Sequence, residues 1–375
     1  MSQRGTTSHY FAGANTPQGF YSRYDQVAPF VDTKLIILKG GPGTGKSTFL
    51  KKIAEAVLQR GHDVEFFHCS ADNAAIDGIY IPAADAALMD GTAPHVVDPQ
   101  FPGAVDEIIN LGQYWDEPAL RSQEVRAQII RLTRGYKFWF KRANDARRAA
   151  LAWLEEWAAY HRECLDMARV YEASEAIIET VAPAGGSQAA GSSGVHVRRL
   201  FASAITYDGE RNWLGPIFDH LDRRVVLAGP PGTGKKTILD RVVDAARARG
   251  YRLDVFHCTM YPERPDHVRV HGTSAGVITS FWPHEYTPRP GDEVIDTGTF
   301  LDRGKLSAFA AEIAAAEAAY RAAVEREMRH LGQAKALHDE LERCYIPHMD
   351  FAAMERVRNE TLERVLALIA ERQQE

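Results

Sequence analysis

The chain has 375 residues, and its 44 Lys and Arg residues against 50 Asp and Glu residues give a formal net charge of −6. This length is enough for two domains with substantial cores, and the charge balance gives no global argument for nucleic-acid binding. The sequence shows neither a run long enough to span a membrane nor a metal-ligand spacing among its four cysteines, which predicts a soluble cytoplasmic protein with reduced thiols.

A complete phosphate-binding loop occupies residues 40–48, with the sequence GGPGTGKST. It follows the apolar run 35–38 and precedes an amphipathic stretch, so the local order is strand, glycine loop, helix. Backbone N–H groups in such a loop hold nucleotide phosphates, and the helix N-terminus adds a favourable field. Lys46 is expected at the β- and γ-phosphates and Ser47 at Mg²⁺, which makes ATP and Mg²⁺ the predicted cofactors.

Carboxylates that follow the next predicted strands are candidates for the chemistry. Asp90 ends an apolar run and is favoured as the second Mg²⁺ ligand, the alternative being an Asp that merely opens a turn. Asp106 and Glu107 are the runners-up. Asp72, Asn73 and Asp77 follow the second strand, where ligands bind in open α/β sheets, so they are expected to position a water or bind a substrate hydroxyl, with loop capping by the carboxylates as an equal alternative. The predicted catalytic residues are Lys46, Asp72 and Asp90, and the predicted metal ligands are Ser47 and Asp90.

A long helical region is predicted from about residue 118 to 181, rich in Ala, Arg, Leu and Glu. Its apolar residues recur at spacings of three and four, first at Ile129, Leu132, Tyr136, Trp139 and Ala143 and again from Trp153 and Trp157. The region is long enough for two helices. It is expected to form a helical hairpin that rises from its own nucleotide-binding core.

One zone of this helical region is strongly basic and contains few acids. The leading interpretation is a solvated helix face, partly paired with acids elsewhere. The alternatives are a phosphate-sensing lid and a surface for nucleic acid or another acidic partner. The cluster comprises Arg121, Arg126, Arg131, Arg134, Lys137, Lys141, Arg142, Arg147 and Arg148.

The two halves of the chain are an internal repeat with a period of about 190 residues. Residues 11–19 are related to 201–209, and residues 67–69 match 256–258 at a constant offset from the glycine loops. The first domain is therefore placed at 1–181, a flexible Gly/Ser/Ala-rich linker at 182–194 and the second domain at 195–375, with its own hairpin at about 301–370.

The second glycine loop, residues 229–237, is chemically incomplete. Lys236 replaces Ser47, His271 is matched to Asp90, and Tyr261 is matched to Asp72. This copy is expected to bind nucleotide without turning it over, or to be a vestigial loop that binds none. The predicted nucleotide contacts are Gly41, Pro42, Gly43, Thr44, Gly45, Lys46, Ser47 and Thr48 in the first loop and Gly232, Thr233, Gly234, Lys235, Lys236 and Thr237 in the second.

Together these motifs resemble a family of tandem P-loop ATPases, also described as nucleotide kinases, from Gram-positive and often spore-forming bacteria. The similarity covers nearly the whole chain, and the motifs that carry it are YFAGANTPQG (10–19), LKGGPGTGKS (38–47), FHCSAD (67–72), DGTAPHVVDP (90–99), PGAVDEIINLG (102–112) and LFASAIT (200–206). The resemblance implies ATP binding and leaves the biological role open.

The fold expected is α/β: two tandem P-loop NTPase domains with mainly parallel sheets, each carrying a long helical hairpin. The leading function is ATP hydrolysis with Mg²⁺ at the first loop, with a regulatory or scaffold C-terminal copy. One alternative is a kinase that moves the γ-phosphate to a nucleotide or another small molecule. The other is a non-enzymatic ATP-responsive switch that binds a partner. Nucleotide is the expected ligand, nucleic acid is possible but not favoured, and no membrane partner is expected.

Overall fold

Each half of the chain builds one six-stranded sheet and one small β-hairpin. The computed structural model describes residues 3–30, 32–94, 96–185 and 197–374, so most of the predicted linker at 182–194 lies outside the described residues. The strands of the first half are β1 (Thr7–Tyr10), β2 (Gly13–Thr16), β3 (Gly19–Ser22), β4 (Lys34–Lys39), β5 (Val64–His68), β6 (Ile76–Ile81), β7 (Ala86–Asp90) and β8 (Glu107–Asn110). Those of the second half are β9 (Val197–Leu200), β10 (Ser203–Thr206), β11 (Gly209–Asn212), β12 (Arg223–Ala228), β13 (Leu253–His257), β14 (Pro265–Val270), β15 (Ala275–Ser280) and β16 (Glu293–Asp296).

The helices also come in two similar sets. The first set is α1 (Lys46–Leu58), α2 (Glu117–Leu120), α3 (Gln123–Glu163) and α4 (Met167–Val181). The second set is α5 (Leu214–Phe218), α6 (Lys235–Ala248), α7 (Arg303–Ser307), α8 (Ala310–Tyr345) and α9 (Phe351–Arg372). Among the helices of the described residues, none combines the length and the apolar composition needed to cross a bilayer.

Both sheets have the same strand order and are mixed rather than wholly parallel. The first runs β1-β5-β6-β7-β4-β8 and the second runs β9-β13-β14-β15-β12-β16. In each sheet a single strand, β6 or β14, is antiparallel to both of its neighbours, while the remaining pairs are parallel. Short loops join this strand to its neighbours, and a short loop allows only antiparallel pairing. The α/β class is confirmed, and the prediction of mainly parallel sheets holds for the pairs outside β6 and β14.

The two halves meet through a shared core and a backbone bridge. Phe11 and Phe201, which are equivalent in the repeat, exchange two N–H···O=C hydrogen bonds of 3.0 Å. The inner faces of both sheets then pack into one buried cluster, in which Ile37 and Met89 of the first sheet join Val226 and Phe256 of the second. This arrangement makes the halves two parts of one body.

The outer face of each sheet is covered by one helix of its own half and one helix of the other half. On the first sheet, α1 packs beside α9, whose Val365 and Ile369 enter the same buried cluster as Ile36 and Leu38. On the second sheet, α6 packs beside α4. Complete burial of one such side chain contributes about 1.5–3 kcal/mol, so the exchanged helices are a main source of stability for the half they cover.

The helices α3 and α8 connect the exchanged elements and pack against each other in antiparallel orientation. Tyr136 contacts His338 near one end of the pair, and Trp157 contacts Tyr320 towards the other. At 1.5 Å per residue, the 41 residues of α3 extend about 60 Å. The predicted helical content and the apolar face that includes Leu132 are confirmed, although Trp153 is 39% exposed. The expectation of a hairpin on its own core is wrong, because α3 leads α4 across to the other half.

The same kind of short junction lies at both ends of α3 and at both ends of α8. Trp115 pairs with Met349, and Leu165 pairs with Leu301, each as an antiparallel bridge between the halves. An Asp follows each of these four apolar residues, and its side chain accepts hydrogen bonds from N–H groups of the next helix as an N-cap. The capping residues are Asp116, Asp166, Asp302 and Asp350.

A buried ion pair lies within the interface between α3 and α8. Arg147 and Glu327 are each 1% exposed and are bonded to each other, and Arg147 also donates to the carbonyl oxygen of Asn15 at 2.5 Å. Burial raises the pKa of Glu327 against the opposing effect of Arg147. The pair links both long helices to the β2–β3 hairpin.

Arg147→Ala should destabilise the protein by about 3–5 kcal/mol, because it leaves the Glu327 carboxylate buried without its partner. The neighbouring Arg148 is the matched control, since it is exposed and its one ion pair among the described residues is with Asp145, so Arg148→Ala should change stability by less than about 0.5 kcal/mol. The measurement is urea-induced unfolding of the three proteins. Equal midpoints for both variants would show that the buried pair contributes nothing.

Candidate functional site

The first glycine loop joins the central strand β4 to the helix α1. Gly43 and Gly45 have φ values of +70° and +76°, where a side chain would be strained, and Lys46 is the first residue of α1. The strand is apolar because Leu35 to Leu38 are buried on both faces of the sheet. This sequence therefore places a ring of backbone N–H groups at a helix N-terminus, where an anion is favoured.

Lys46 and Asp90 lie together at the loop, as the sequence suggested. The Lys46 ammonium donates to the carbonyl oxygens of Gly40 and Gly41, at 2.7 and 2.9 Å, and lies 3.6 Å from Asp90 Oδ2. Asp90 ends β7, which is the strand next to β4 and pairs with it at Leu38. Its other oxygen, Oδ1, accepts from the N–H group of Thr92 at 2.8 Å. A carboxylate and a cation thus occupy adjacent strand ends beside the loop.

Ser47 contacts the first residue of β6, and the segment between β5 and β6 contains Asp72. Ser47 Oγ accepts a hydrogen bond from the N–H group of Ile76, at 3.0 Å, in the segment that follows Asp72. Asp72 caps its own turn through the N–H group of Ala74 and forms an ion pair of 3.3 Å with Lys335 of α8. Both predicted roles of Asp72 are therefore compatible with its position, and its partner comes from the other half.

The remaining carboxylate candidates lie elsewhere. Asp106 is buried and accepts hydrogen bonds from backbone N–H groups near the opposite end of β4, including that of Leu35. Glu107 lies 4.0 Å from Lys34 and 3.6 Å from Arg364. Asp77 is buried and accepts from the hydroxyl group of Tyr24 at 2.8 Å. These contacts give Asp106 and Glu107 structural partners distant from Lys46.

The C-terminal half covers the first loop. A carbon added at Gly43 would lie 3.0 Å from the Glu342 carbonyl oxygen and 3.2 Å from Tyr345 Cβ. At Gly45, an added carbon would lie 3.3 Å from Met354 Cε. The cover is the junction between α8 and α9, so the loop of one half is in contact with the helix end of the other.

The second loop has the same kind of cover, and there the approach is closer. An added carbon at Gly232 would lie 2.3 Å from the carbonyl oxygen of Ala158 in α3, and one at Gly234 would lie 2.6 Å from Val170 of α4. His161 contributes a further contact of 2.6 Å between Nδ1 and the Pro231 carbonyl oxygen. The main chain of α3 thus packs directly on this loop.

Lys235 is enclosed beneath this cover. Its ammonium donates to the carbonyl oxygens of Gly229 and Pro230 and lies 5.6 Å from the centre of the Phe281 ring. Burial lowers the pKa of Lys235 from its ordinary value of 10.5 to about 8, and the nearby Asp266 and Asp296 oppose that shift. The group is therefore a cation that its surroundings stabilise poorly.

Lys236 turns away from the loop. It forms an i,i+4 ion pair with Asp240 on the surface of α6, and its side chain is 53% exposed. Lys236 therefore carries its charge away from the position that Ser47 occupies in the first loop. The hydroxyl oxygen that Ser47 supplies in the first loop is missing at this position.

The match of Asp90 with His271 is wrong, and Thr279 is the equivalent residue. Strand register decides this, because Leu38 pairs with Asp90 in the first sheet and Leu227 pairs with Thr279 in the second. The constant offset of 189 residues continues through both strands, whereas His271 lies in the turn before β15, bonded to Asp254. The shared Gly-Thr sequence after His271 and Asp90 is too short to establish a register.

Several residues at the first loop were not identified from the sequence. Trp115 approaches Gly41, and the C-terminal half supplies Lys335, Tyr345 and Met354. The spacing of these residues in the sequence does not indicate which half of the protein they contact. The sequence does contain one signal for this arrangement. An apolar residue followed by Asp occurs at each of the four junctions, and these positions match between the two copies.

Comparison of the chain with protein-family models, curated proteins and solved structures found no match. The resemblance to tandem P-loop ATPases therefore stays a prediction. The arguments about function that follow depend on the geometry around the two loops.

The enclosed Lys235 predicts a specific pH dependence of stability. Between pH 8 and 10.5 the folded protein has released this proton while the unfolded chain retains it, so stability should rise with pH over that window. The rise should be at most about 3 kcal/mol and should vanish in Lys235→Met. Thermal unfolding of both proteins from pH 7 to 10 measures the difference, and parallel curves would show that Lys235 titrates normally.

Proposed function

We propose that the chain is a Mg²⁺-dependent ATPase of the P-loop type whose reaction takes place at the first glycine loop. The observation that carries the proposal is the Lys46 ammonium 3.6 Å from Asp90 Oδ2 at the ends of neighbouring strands, with Ser47 next in sequence. A phosphate-binding loop, its lysine and a carboxylate at the adjacent strand end are the parts that phosphoryl transfer to water requires.

The residues of the first loop fit ATP and Mg²⁺. The N–H groups at the start of α1 would bind the phosphate oxygens, and Lys46 would move from the carbonyl groups of Gly40 and Gly41 to the β- and γ-phosphates. Ser47 Oγ and the Asp90 carboxylate are hard oxygen ligands of the kind that Mg²⁺ prefers. The ion would neutralise charge on the transferring phosphate. Asp72 would orient a water in this proposal, and its ion pair with Lys335 would hold that carboxylate in position.

The C-terminal half acts in this proposal as a scaffold and a cover. Its helix junction contacts Gly43 and Gly45, so a nucleotide reaches the first loop only as that junction adjusts, and closure would exclude water from the phosphates. The second loop is less suited than the first to bind nucleotide, because α3 packs against Gly232 and Lys236 is paired outside the loop.

Lys46→Ala should reduce ATP hydrolysis at least about 100-fold, since no other cation of the loop takes its place. The matched control is Lys235→Ala at the equivalent position of the second loop, which should retain turnover within about threefold. Phosphate release is measured without an acceptor and then with a panel of nucleotides. Loss of activity in Lys235→Ala but not in Lys46→Ala would show that the reaction takes place at the second loop. Phosphate transfer only when an acceptor is present would establish a kinase.

A second experiment tests the register of the second loop. Calorimetry in a Lys46→Ala background should show no Mg²⁺-dependent ATP binding. Adding Lys236→Ser and Thr279→Asp should introduce such binding, because these changes restore both oxygen ligands at the equivalent positions. Lys236→Ser with His271→Asp is the matched control and should have no effect, since His271 lies at the other end of the strand. Binding by the control pair would overturn the assignment of Thr279.

A further inference from the structure

The basic cluster of the first long helix divides into paired and unpaired groups. Arg121 pairs with Glu117, Arg142 and Arg148 share Asp145, and Arg147 is buried against Glu327. The other five cations are exposed, and none forms an ion pair with a carboxylate of the described residues. They are Arg126, Arg131, Arg134, Lys137 and Lys141.

Four of these cations share one face of α3. At about 100° per residue, Arg126, Arg134, Lys137 and Lys141 fall within a sector of about 80° that is opposite the side packed on α8. From the first to the last of them the helix rises about 22 Å. Because the chain as a whole carries a net charge of −6, this stripe is a local concentration of positive charge.

An aromatic ring and an aliphatic side chain are exposed among these cations. Phe138 is 54% exposed and Ile130 is 40% exposed. The Arg142 guanidinium carbon lies 5.7 Å from the centre of the Phe138 ring. An accessible ring bordered by cations is the arrangement on which unpaired bases stack while phosphates are neutralised.

We propose that this face of α3 binds single-stranded nucleic acid. The four cations on this face contact successive phosphates, and Phe138 stacks on one base. A duplex is a poorer partner, since its bases are already stacked and offer no face to the ring. An anionic membrane is also a poorer partner, because a helix that lies in a membrane needs a continuous apolar face, and the apolar face of α3 is packed on α8. The proposal is independent of ATP hydrolysis.

The test measures binding of a fluorescent oligo(dT) or oligo(U) of about 15 nucleotides by anisotropy, without ATP. With one phosphate neutralised by each of the four cations on this face, the logarithm of affinity should fall with the logarithm of salt at a slope of about −2.8, or about 50-fold between 50 and 200 mM. The triple variant Arg134→Ala, Lys137→Ala, Lys141→Ala should reduce that slope to about −0.7 and weaken binding more than about 100-fold at 50 mM.

Two further variants distinguish the effects of base stacking and of general positive charge from the effect of the four aligned cations. Phe138→Ala should lose about tenfold in affinity with an unchanged salt slope. Arg121→Ala is the matched control, because Arg121 is an exposed member of the same basic cluster but is paired with Glu117, and it should change affinity less than about twofold. Unaltered thermal unfolding verifies that each variant is folded.

Three results would overturn the proposal. They are no binding at 50 mM salt, equal binding by the native protein and the triple variant, and capture by phosphatidylserine vesicles without binding of the oligonucleotide. The last result would identify a membrane surface instead. Because the assay contains no ATP, a negative result leaves the ATPase proposal intact.

Discussion

The antiparallel contact between α3 and α8 determines the rest of the architecture. Since α3 is a single helix of about 60 Å, it delivers α4 to the far sheet, and α8 delivers α9 in the reverse direction. Each outer sheet face is therefore buried by a helix that arrives from the other half. A half that lost this contact would expose the apolar surface that α4 or α9 now covers. The two halves consequently depend on one another for a complete core, and their folding is expected to be coupled.

The same exchange places each glycine loop under the helix end of the other half. The covers differ in how closely they approach, because α3 brings its main chain to Gly232, whereas mostly side chains and one carbonyl group of the α8–α9 junction reach Gly43. Opposite ends of one helix pair therefore touch the two loops. Between the two covers, α3 and α8 contact each other through Trp157 and Tyr320 and through the buried pair of Arg147 and Glu327.

Local patterns in the sequence were sufficient for the elements and for much of the first loop. The apolar run before Gly40, the lysine that begins α1 and the strand that ends in Asp90 are all local in sequence, and the structure has them at these places. The choice of partner for α4 and α9 is not local. In a repeated chain either sheet offers a similar apolar face, so periodicity cannot distinguish a self-contained hairpin from an exchanged helix. The mismatch of Asp90 with His271 has a related cause, since the Gly-Thr pair that follows each residue suggests a register that the constant offset and the strand pairing contradict.

The second half keeps the packing of the first but changes the groups that would do chemistry. Val225 to Leu227 are buried as Ile36 to Leu38 are, and the register between neighbouring strands is the same. At positions that face the loop, a hydroxyl group has become Lys236, and a carboxylate has become Thr279, whose hydroxyl group bonds to Asp266. These substitutions cost little in packing, because Lys236 reaches solvent and Thr279 finds a polar partner. The constraint on the second half is therefore the inner core and the cover that it supplies to the first loop, and neither requires a functional phosphate site of its own.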